Sequence, residues 1–106
     1  MEQLIYIPFK CNIKLSFNEL KALNDMLGRI DYEPSLEGRA LTEWAIKKRM
    51  DYTRRLINRK KDYTLTLNAQ DARMLQCALM EAFFTADEYE AALVYKINDH
   101  VARLMW

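Results

Sequence analysis

The chain has 106 residues, of which 51% are hydrophobic and 29% are charged, and it contains only two glycines and two prolines. This length fits a single domain over residues 1–106, and the apolar content is higher than that of disordered chains. The scarcity of glycine and proline argues against a sandwich of short strands joined by tight turns. We therefore expect an α+β fold that is predominantly helical.

Charge is unevenly distributed along the chain, although the net charge is only +1. Residues 1–61 contain 13 basic and 8 acidic side chains, whereas residues 62–106 contain 3 and 7. The two halves can therefore attract each other, either within one fold or head to tail between copies. Alternatively, the basic half binds an anionic partner. We favour the attraction between halves, because it requires no ligand.

Targeting signals are not apparent in the sequence. The start, MEQLIYIPFK, has no basic stretch, and Pro8 and Lys10 interrupt its apolar run. No segment approaches the roughly 20 apolar residues that cross a bilayer. Cys11 and Cys77 form no CxxC motif, and we expect two buried thiols. We therefore expect a cytoplasmic protein without membrane contact.

Alternating apolar residues predict the first strand. Every odd position from Ile5 to Phe17 is apolar, which is typical of a strand with one buried face. Pro8 lacks an amide donor, so that part should lie at a sheet edge or at a bend. One bent strand and a hairpin around residues 10–12 both fit. We favour the single strand, because no Asn-Gly turn signal is present.

Capping signals predict where the helices begin. Ser16 and Glu19 have the spacing of a capping box, in which each side chain binds the backbone amide of the other residue. Ser35 follows a turn at Pro34 and can cap the next helix. A second strand over residues 63–67 ends before Asn68, which can cap a third helix. A fourth helix begins near residue 86, where acidic side chains suit the helix dipole.

The longest predicted helix extends from about Leu36 to Lys60. Its apolar residues recur at helical intervals, and we expect them to form one broad buried stripe. The stripe consists of Leu41, Trp44, Ala45, Tyr52 and Leu56, broadened by Ile46, Met50, Thr53 and Ile57.

The predicted order of elements is β-α-α-β-α-α, with two similar β-α-α units at about 12–60 and 62–106. Residues 15–18 resemble residues 65–68, and MDYTRRL resembles NDHVARL near the end of each unit. Duplication and convergence on a common amphipathic pattern explain this similarity equally well. A pseudo-two-fold arrangement would pair the two strands antiparallel and pack four helices on one face.

The predicted first strand would leave one edge unpaired. An exposed apolar edge favours pairing with another chain, so we expect a homodimer. The second half of the chain is also rich in aromatic residues, which are enriched in protein interfaces. The expected interface residues are Ile5, Ile7, Phe9, Phe84 and Trp106.

The segment KKRMDYTRRLINRKK, residues 47–61, contains eight cations and one acid. Such a row can follow a phosphate backbone, and Tyr52 could stack beside it. The alternative is a solvated helix face whose cations suit the C-terminal end of the dipole. We favour the solvated face, because no known DNA- or RNA-binding motif accompanies the segment. The candidate contacts are Lys47, Lys48, Arg54, Arg55, Arg59, Lys60 and Lys61.

Catalytic and metal-binding patterns are not found in the sequence. Asp99 and His100 are adjacent, but neighbours on a helix point about 100° apart. We expect His100 to be a partly buried structural residue on the apolar face of the last helix, which it would share with Tyr89 and Leu93. No pair of cysteines or histidines has ligand spacing, and there is no glycine-rich phosphate loop. We therefore expect no metal and no cofactor.

These patterns favour a small non-catalytic protein-interaction or regulatory module that forms a homo-oligomer and binds a further, unidentified protein. The alternative is a nucleic-acid-binding protein that uses residues 47–61. No pattern favours an enzyme.

Overall fold

A computed structural model describes residues 9–30 and 35–104, with the backbone alone at residue 104. The elements are β1 (Cys11–Ser16), α1 (Phe17–Gly28), α2 (Leu36–Ile57), β2 (Asp62–Leu67), α3 (Ala69–Phe83) and α4 (Glu88–Leu104). The predicted α+β fold with four helices and an antiparallel two-stranded sheet is confirmed in this part of the chain. Two predicted elements are shorter than expected: α2 ends at Ile57 rather than near Lys60, and β1 covers Cys11–Ser16, so that Phe9 and Phe17 lie outside it.

The two strands form an antiparallel ribbon with one buried face. Cys11 pairs with Leu67, and the register continues to Ser16 opposite Asp62. Side chains alternate along each strand, so every second residue faces the helices. A two-stranded ribbon is marginal alone and depends on the helices packed against it. The buried face consists of Cys11, Ile13, Leu15, Tyr63, Leu65 and Leu67.

Helix side chains contact the backbone of both strands. The Nε2 atom of His100 lies 2.8 Å from the carbonyl oxygen of Asn12 in β1. Because a carbonyl oxygen only accepts, this hydrogen bond requires the proton on Nε2. Arg55 of α2 donates to the carbonyl oxygen of Thr64 in β2 at 2.9 Å. The ribbon is therefore attached to the helices by hydrogen bonds to its backbone as well as by packing of its apolar face.

Helix α1 lies at the centre of the fold and contacts each of the other five elements. The predicted capping box is confirmed, with Ser16 Oγ accepting from the amide of Glu19 and the Glu19 carboxylate accepting from the amide of Ser16. Burial alone would raise the pKa of Glu19, but hydrogen bonds and the charge of Lys96 outweigh it and lower that pKa. The buried residues of α1 are Leu20, Leu23, Asn24, Met26 and Leu27.

Helix α4 is joined to α1 at both ends of α1. Lys96 lies 2.8 Å from the Glu19 carboxylate near the start of α1, and Arg29 forms an ion pair with the buried Glu90 at its other end. Glu90 also accepts from the amide of Asp87, which completes a capping box at the start of α4. These contacts bury an acidic residue on the face that packs against α1.

The predicted inner face of α4 is wrong at two positions. Tyr89 is exposed, and His100 is also exposed although its ring contacts Asn12. Leu93 and Ile97 are buried as predicted, whereas the neighbouring residues Glu90 and Val101 are buried in place of Tyr89 and His100, and Glu90 meets Arg29 there. The buried residues of α4 are Glu90, Leu93, Val94, Ile97 and Val101.

Helix α2 packs mainly against α1 and is joined to α3 by one polar junction. Only Trp44, Ala45 and Tyr52 are buried along its 22 residues. The indole Nε1 of Trp44 donates to Asp71 of α3 at 2.9 Å, and Lys48 lies 3.4 Å from the same carboxylate. Asp71 also accepts from the amide of Asn68 in the confirmed cap of α3. One carboxylate thus joins α2 to the start of α3.

The two cysteines are both free thiols. Cys11 is buried as expected, and burial raises its pKa. Cys77 is only partly buried, because its position on α3 lies beside the packed face rather than within it.

The internal repeat is not confirmed. The caps of α1 and α3 are Ser16 and Asn68, whereas the sequence comparison aligned Asn18 with Asn68. It also aligned Tyr52 with His100, but Tyr52 is buried and His100 is exposed. Similar elements therefore occur twice without matching residue by residue.

Among the described residues, no helix is both long enough and apolar enough to span a bilayer.

Trp44→Ala is expected to lower the free energy of unfolding by about 3–5 kcal/mol, because a buried ring is lost. Trp44→Phe should cost about 1.5–3 kcal/mol, because Asp71 loses one hydrogen bond. Chemical denaturation measures both changes. The control is Ile46→Ala on the exposed face of the same helix, which should change stability by less than about 0.5 kcal/mol. Equal effects at Trp44 and Ile46 would refute the orientation of α2.

Candidate functional site

The solvent-facing side of α2 carries an apolar row, Ile46, Met50 and Ile57, which together with Thr53 we call the α2 stripe. Thr53 lies at the edge of this row, where its hydroxyl accepts a hydrogen bond from the side-chain amide of Asn24 in α1 at 3.1 Å. The exposed fractions of Ile46, Met50 and Ile57 are 55%, 61% and 81%. Single exposed apolar residues are common, but a contiguous row of them marks a surface that binds something. The stripe is therefore the first candidate for a functional surface.

The prediction that these residues broaden the buried stripe of the helix is wrong for Ile46, Met50 and Ile57, whereas Thr53 is exposed but still contacts Asn24 of α1. At 3.6 residues per turn, the stripe is centred about 150° around the helix from Trp44, Ala45 and Tyr52. The helix is thus apolar on two nearly opposite sides. Only one side can face α1 and α3, so the other remains in solvent.

Two arginines border the α2 stripe. Arg49 and Arg54 line the same shallow surface groove as Ile46, Met50, Thr53 and Ile57. Arg49 is held against the end of α1, since a methyl group at Gly28 would lie only 2.6 Å from its guanidinium carbon. A cation at this position suits the negative end of the α1 dipole. The groove therefore has an apolar floor and positively charged margins.

A second exposed apolar surface lies where α3 ends and α4 packs beside it. We call Met80, Phe83, Phe84 and Tyr95 the aromatic patch. Their exposed fractions are 64%, 41%, 85% and 65%. The rings of Phe83 and Tyr95 meet edge to face, with centroids 5.6 Å apart, and so connect the two helices.

The candidate nucleic-acid contacts do not form one row. Arg54, Arg55 and Lys60 line a polar groove with Thr64 and Asp62. Lys48 instead pairs with Asp71 of α3. Lys47 is exposed but lies about 100° around the helix from Lys48.

The last three candidate cations lie beyond α2, in the loop before β2. Tyr63 stabilises this loop, because its hydroxyl accepts from the amide of Lys60 and donates to the carbonyl of Asn58. The guanidinium of Arg59 lies 4.5 Å from the ring centre of Phe17, in cation–π contact. Lys61 lies beside Phe17 in the same surface depression. Several of these cations are therefore already engaged within the chain.

Tyr52 is not available for stacking on a base. Its side chain is 2% exposed, and burial, followed by the charges of Asp51 and Asp71, raises its pKa. The expected role of Tyr52 beside the basic segment is therefore wrong, because this ring belongs to the core.

The adjacent Asp99 and His100 form no dyad. Asp99 pairs with Arg103 one turn later at 2.9 Å, whereas His100 contacts Asn12. In the part of the chain that the structure describes, no three His, Cys, Asp or Glu residues cluster closely enough to hold a metal ion.

The five predicted interface residues have different outcomes. Ile5, Ile7 and Trp106 lie outside the described residues. Phe9 is partly buried and packs against the core, whereas Phe84 is almost fully exposed. Of this set, Phe84 is the residue that the structure places on an open apolar surface.

The α2 stripe was missed although a sequence signal for it exists. Ile46, Met50, Thr53 and Ile57 are spaced by four, three and four residues, which is itself an amphipathic pattern. The single broad stripe that was predicted combines this pattern with the one formed by Trp44, Ala45 and Tyr52. A helical projection separates them, but it does not tell which pattern faces the core.

Comparison with protein-family models, curated proteins and solved structures finds no significant match for this chain.

Methionine oxidation should report directly on the orientation of α2. Met50 and Met80 are exposed, whereas Met26 is fully buried. Dilute peroxide should therefore oxidise Met50 and Met80 at similar rates and Met26 much more slowly. Peptide mass spectrometry at successive times measures these rates. If Met50 were as protected as Met26 in the monomeric protein, the stripe would not be a solvent-facing surface.

Proposed function

We propose that this chain is a small non-catalytic protein-interaction or regulatory module that acts as a homo-oligomer, with the α2 stripe as its docking surface. The observation that carries the proposal is the apolar groove between Arg49 and Arg54. Moving apolar surface out of water lowers the free energy. A helix can present such a row to a partner through residues one turn apart. A cytoplasmic location remains a prediction.

The arrangement of polar side chains supports a role without catalysis. Catalytic acids, bases and nucleophiles need to converge on one site at hydrogen-bonding distance. In this chain His100 donates to a strand carbonyl and Asp99 pairs with Arg103. Glu90 and Glu19 bind cations that fix helix positions. The charged groups that are well placed thus hold the fold together.

Self-association is tested by sedimentation velocity over a range of protein concentrations. The wild-type chain should increase in mass as its concentration rises. The double variant Ile46→Gln/Met50→Gln should remain monomeric, because the apolar floor of the groove is lost. Glutamine is a good helix former, so folding should be preserved. Circular dichroism and the unfolding temperature verify this.

The matched control is Leu36→Gln. Leu36 is also exposed and belongs to α2, but it does not line the groove. This variant should associate like the wild type. A wild-type chain that stays monomeric at every concentration would contradict the proposal, as would a double variant that associates normally.

One observation favours a second candidate, binding to nucleic acid. Arg54, Arg55 and Lys60 converge on one polar groove. Their charges could contact successive phosphates of a single or double strand. Against this candidate, Arg55 already donates to Thr64 and pairs with Asp51.

Fluorescence anisotropy with a labelled random duplex and single strand distinguishes the two candidates. Nucleic-acid binding predicts an affinity that falls steeply with salt and is lost in Arg54→Gln/Arg55→Gln/Arg59→Gln. The interaction-module proposal predicts no binding at physiological salt. Tight, salt-sensitive binding that these substitutions abolish would make the second candidate the better one.

A further inference from the structure

We infer that the α2 stripe of one copy binds the aromatic patch of a second copy, so that the chain associates head to tail. This inference rests on the proposed function and names the two surfaces that meet. It is carried by the apolar character and the charged margins of two exposed surfaces on the same chain.

Pairing of two α2 stripes is opposed by charge. The four stripe residues have the four-three-four spacing of a coiled-coil seam, although the Thr53 hydroxyl is already bound by Asn24. The positions beside such a seam are Leu56 and three cations, Lys47, Arg49 and Arg54. In either helix orientation, these positions bring cations of one copy near cations of the other. The stripe therefore favours a partner with acidic margins.

Acidic residues border the aromatic patch. Glu81 of α3 is exposed and precedes Phe84 by one turn. Glu88 of α4 is exposed and precedes Tyr95 by two turns. Asp99 follows Tyr95 by one turn, although it also pairs with Arg103. The patch is thus an apolar surface with two exposed acids, Glu81 and Glu88, at its margins.

Neither surface covers the other within one chain. The side chains of both remain largely exposed in the folded monomer. Each could be buried in an interface that also brings Arg49 and Arg54 close to Glu81 and Glu88 of the second copy. Complementary charge of this kind favours the correct partner and accelerates encounter. Aromatic and methionine side chains are the residue types enriched in such interface cores.

Pairing through the edge of β1 is less favourable in the described part of the chain. His100 already contacts the carbonyl of Asn12, and Lys14 and Asn12 place polar groups on the outer face of the ribbon. Charged residues on a strand are a usual protection against pairing with another sheet. Residues 3–8 of the expected edge lie outside the described residues.

A contact between two different surfaces has a signature that a symmetric contact lacks. A chain with a damaged stripe keeps its patch, and a chain with a damaged patch keeps its stripe. Neither variant can associate with itself, but the two can bind each other once. A stripe-to-stripe contact cannot be restored by such mixing.

The test uses Ile46→Gln/Met50→Gln as the stripe variant and Met80→Gln/Phe84→Gln as the patch variant. All four positions are exposed, so both variants should fold, which circular dichroism verifies. Each variant alone should sediment as a monomer, with self-affinity weakened by about tenfold or more. An equimolar mixture should form a 1:1 complex.

The matched control for the patch is Tyr89→Gln. Tyr89 is an exposed aromatic residue of α4 that lies about 120° around the helix from Tyr95. This variant should associate like the wild type.

The outcomes separate this inference from the proposed function. If the stripe variant is monomeric but the patch variant associates normally, or if mixing restores no complex, the inference is wrong and the proposed function stands. If the wild type never associates, both are wrong. Restoration of a 1:1 complex by mixing supports both.

Discussion

Every other described element packs against α1, and this constraint determines which surfaces remain in solvent. The ribbon covers one part of α1, whereas α2, α3 and α4 cover others. α2 has substantial contacts only with α1 and α3, so one side of its 22 residues is buried and the opposite side is exposed. An exposed helix side that is also apolar has a cost in water, and binding a partner removes that cost. The proposed role therefore follows from the way the helices surround α1.

Ion pairs fix the positions of the helices at their ends, where backbone groups need partners. Glu19 accepts a capping hydrogen bond at the start of α1 and binds Lys96. Glu90 accepts a capping hydrogen bond at the start of α4 and binds Arg29. Asp71 likewise caps the start of α3, and its carboxylate accepts a hydrogen bond from the Trp44 indole. Each acid thus combines a cap with a contact between helices. Arg54, Glu81 and Glu88 are exposed and have no such role within the fold, so their charges can meet a partner.

Local patterns predicted much of the fold, because caps and strand alternation depend on neighbouring residues. The cap at Ser16, the cap at Asn68 and the buried face of β2 are examples. On α4, Leu93 and Ile97 are buried as predicted, but the burial of Glu90 was not predictable, because it depends on an ion pair with the distant Arg29. The α2 stripe was missed because a helix with two apolar sides does not indicate which one packs. Phe84 was predicted as an interface residue, but its neighbours in the aromatic patch come from two helices whose packing the sequence does not determine.

The most direct test of the central claim is methyl NMR of Ile46, Met50 and Ile57 as the wild-type protein is diluted. These methyl groups report on the α2 stripe itself, without any substitution. The account predicts that their chemical shifts change with concentration together with those of Met80, while the buried Met26 and Ile13 stay constant. If the chemical shifts of all these methyl groups stayed constant from the lowest to the highest concentration, the proposed self-association would be contradicted.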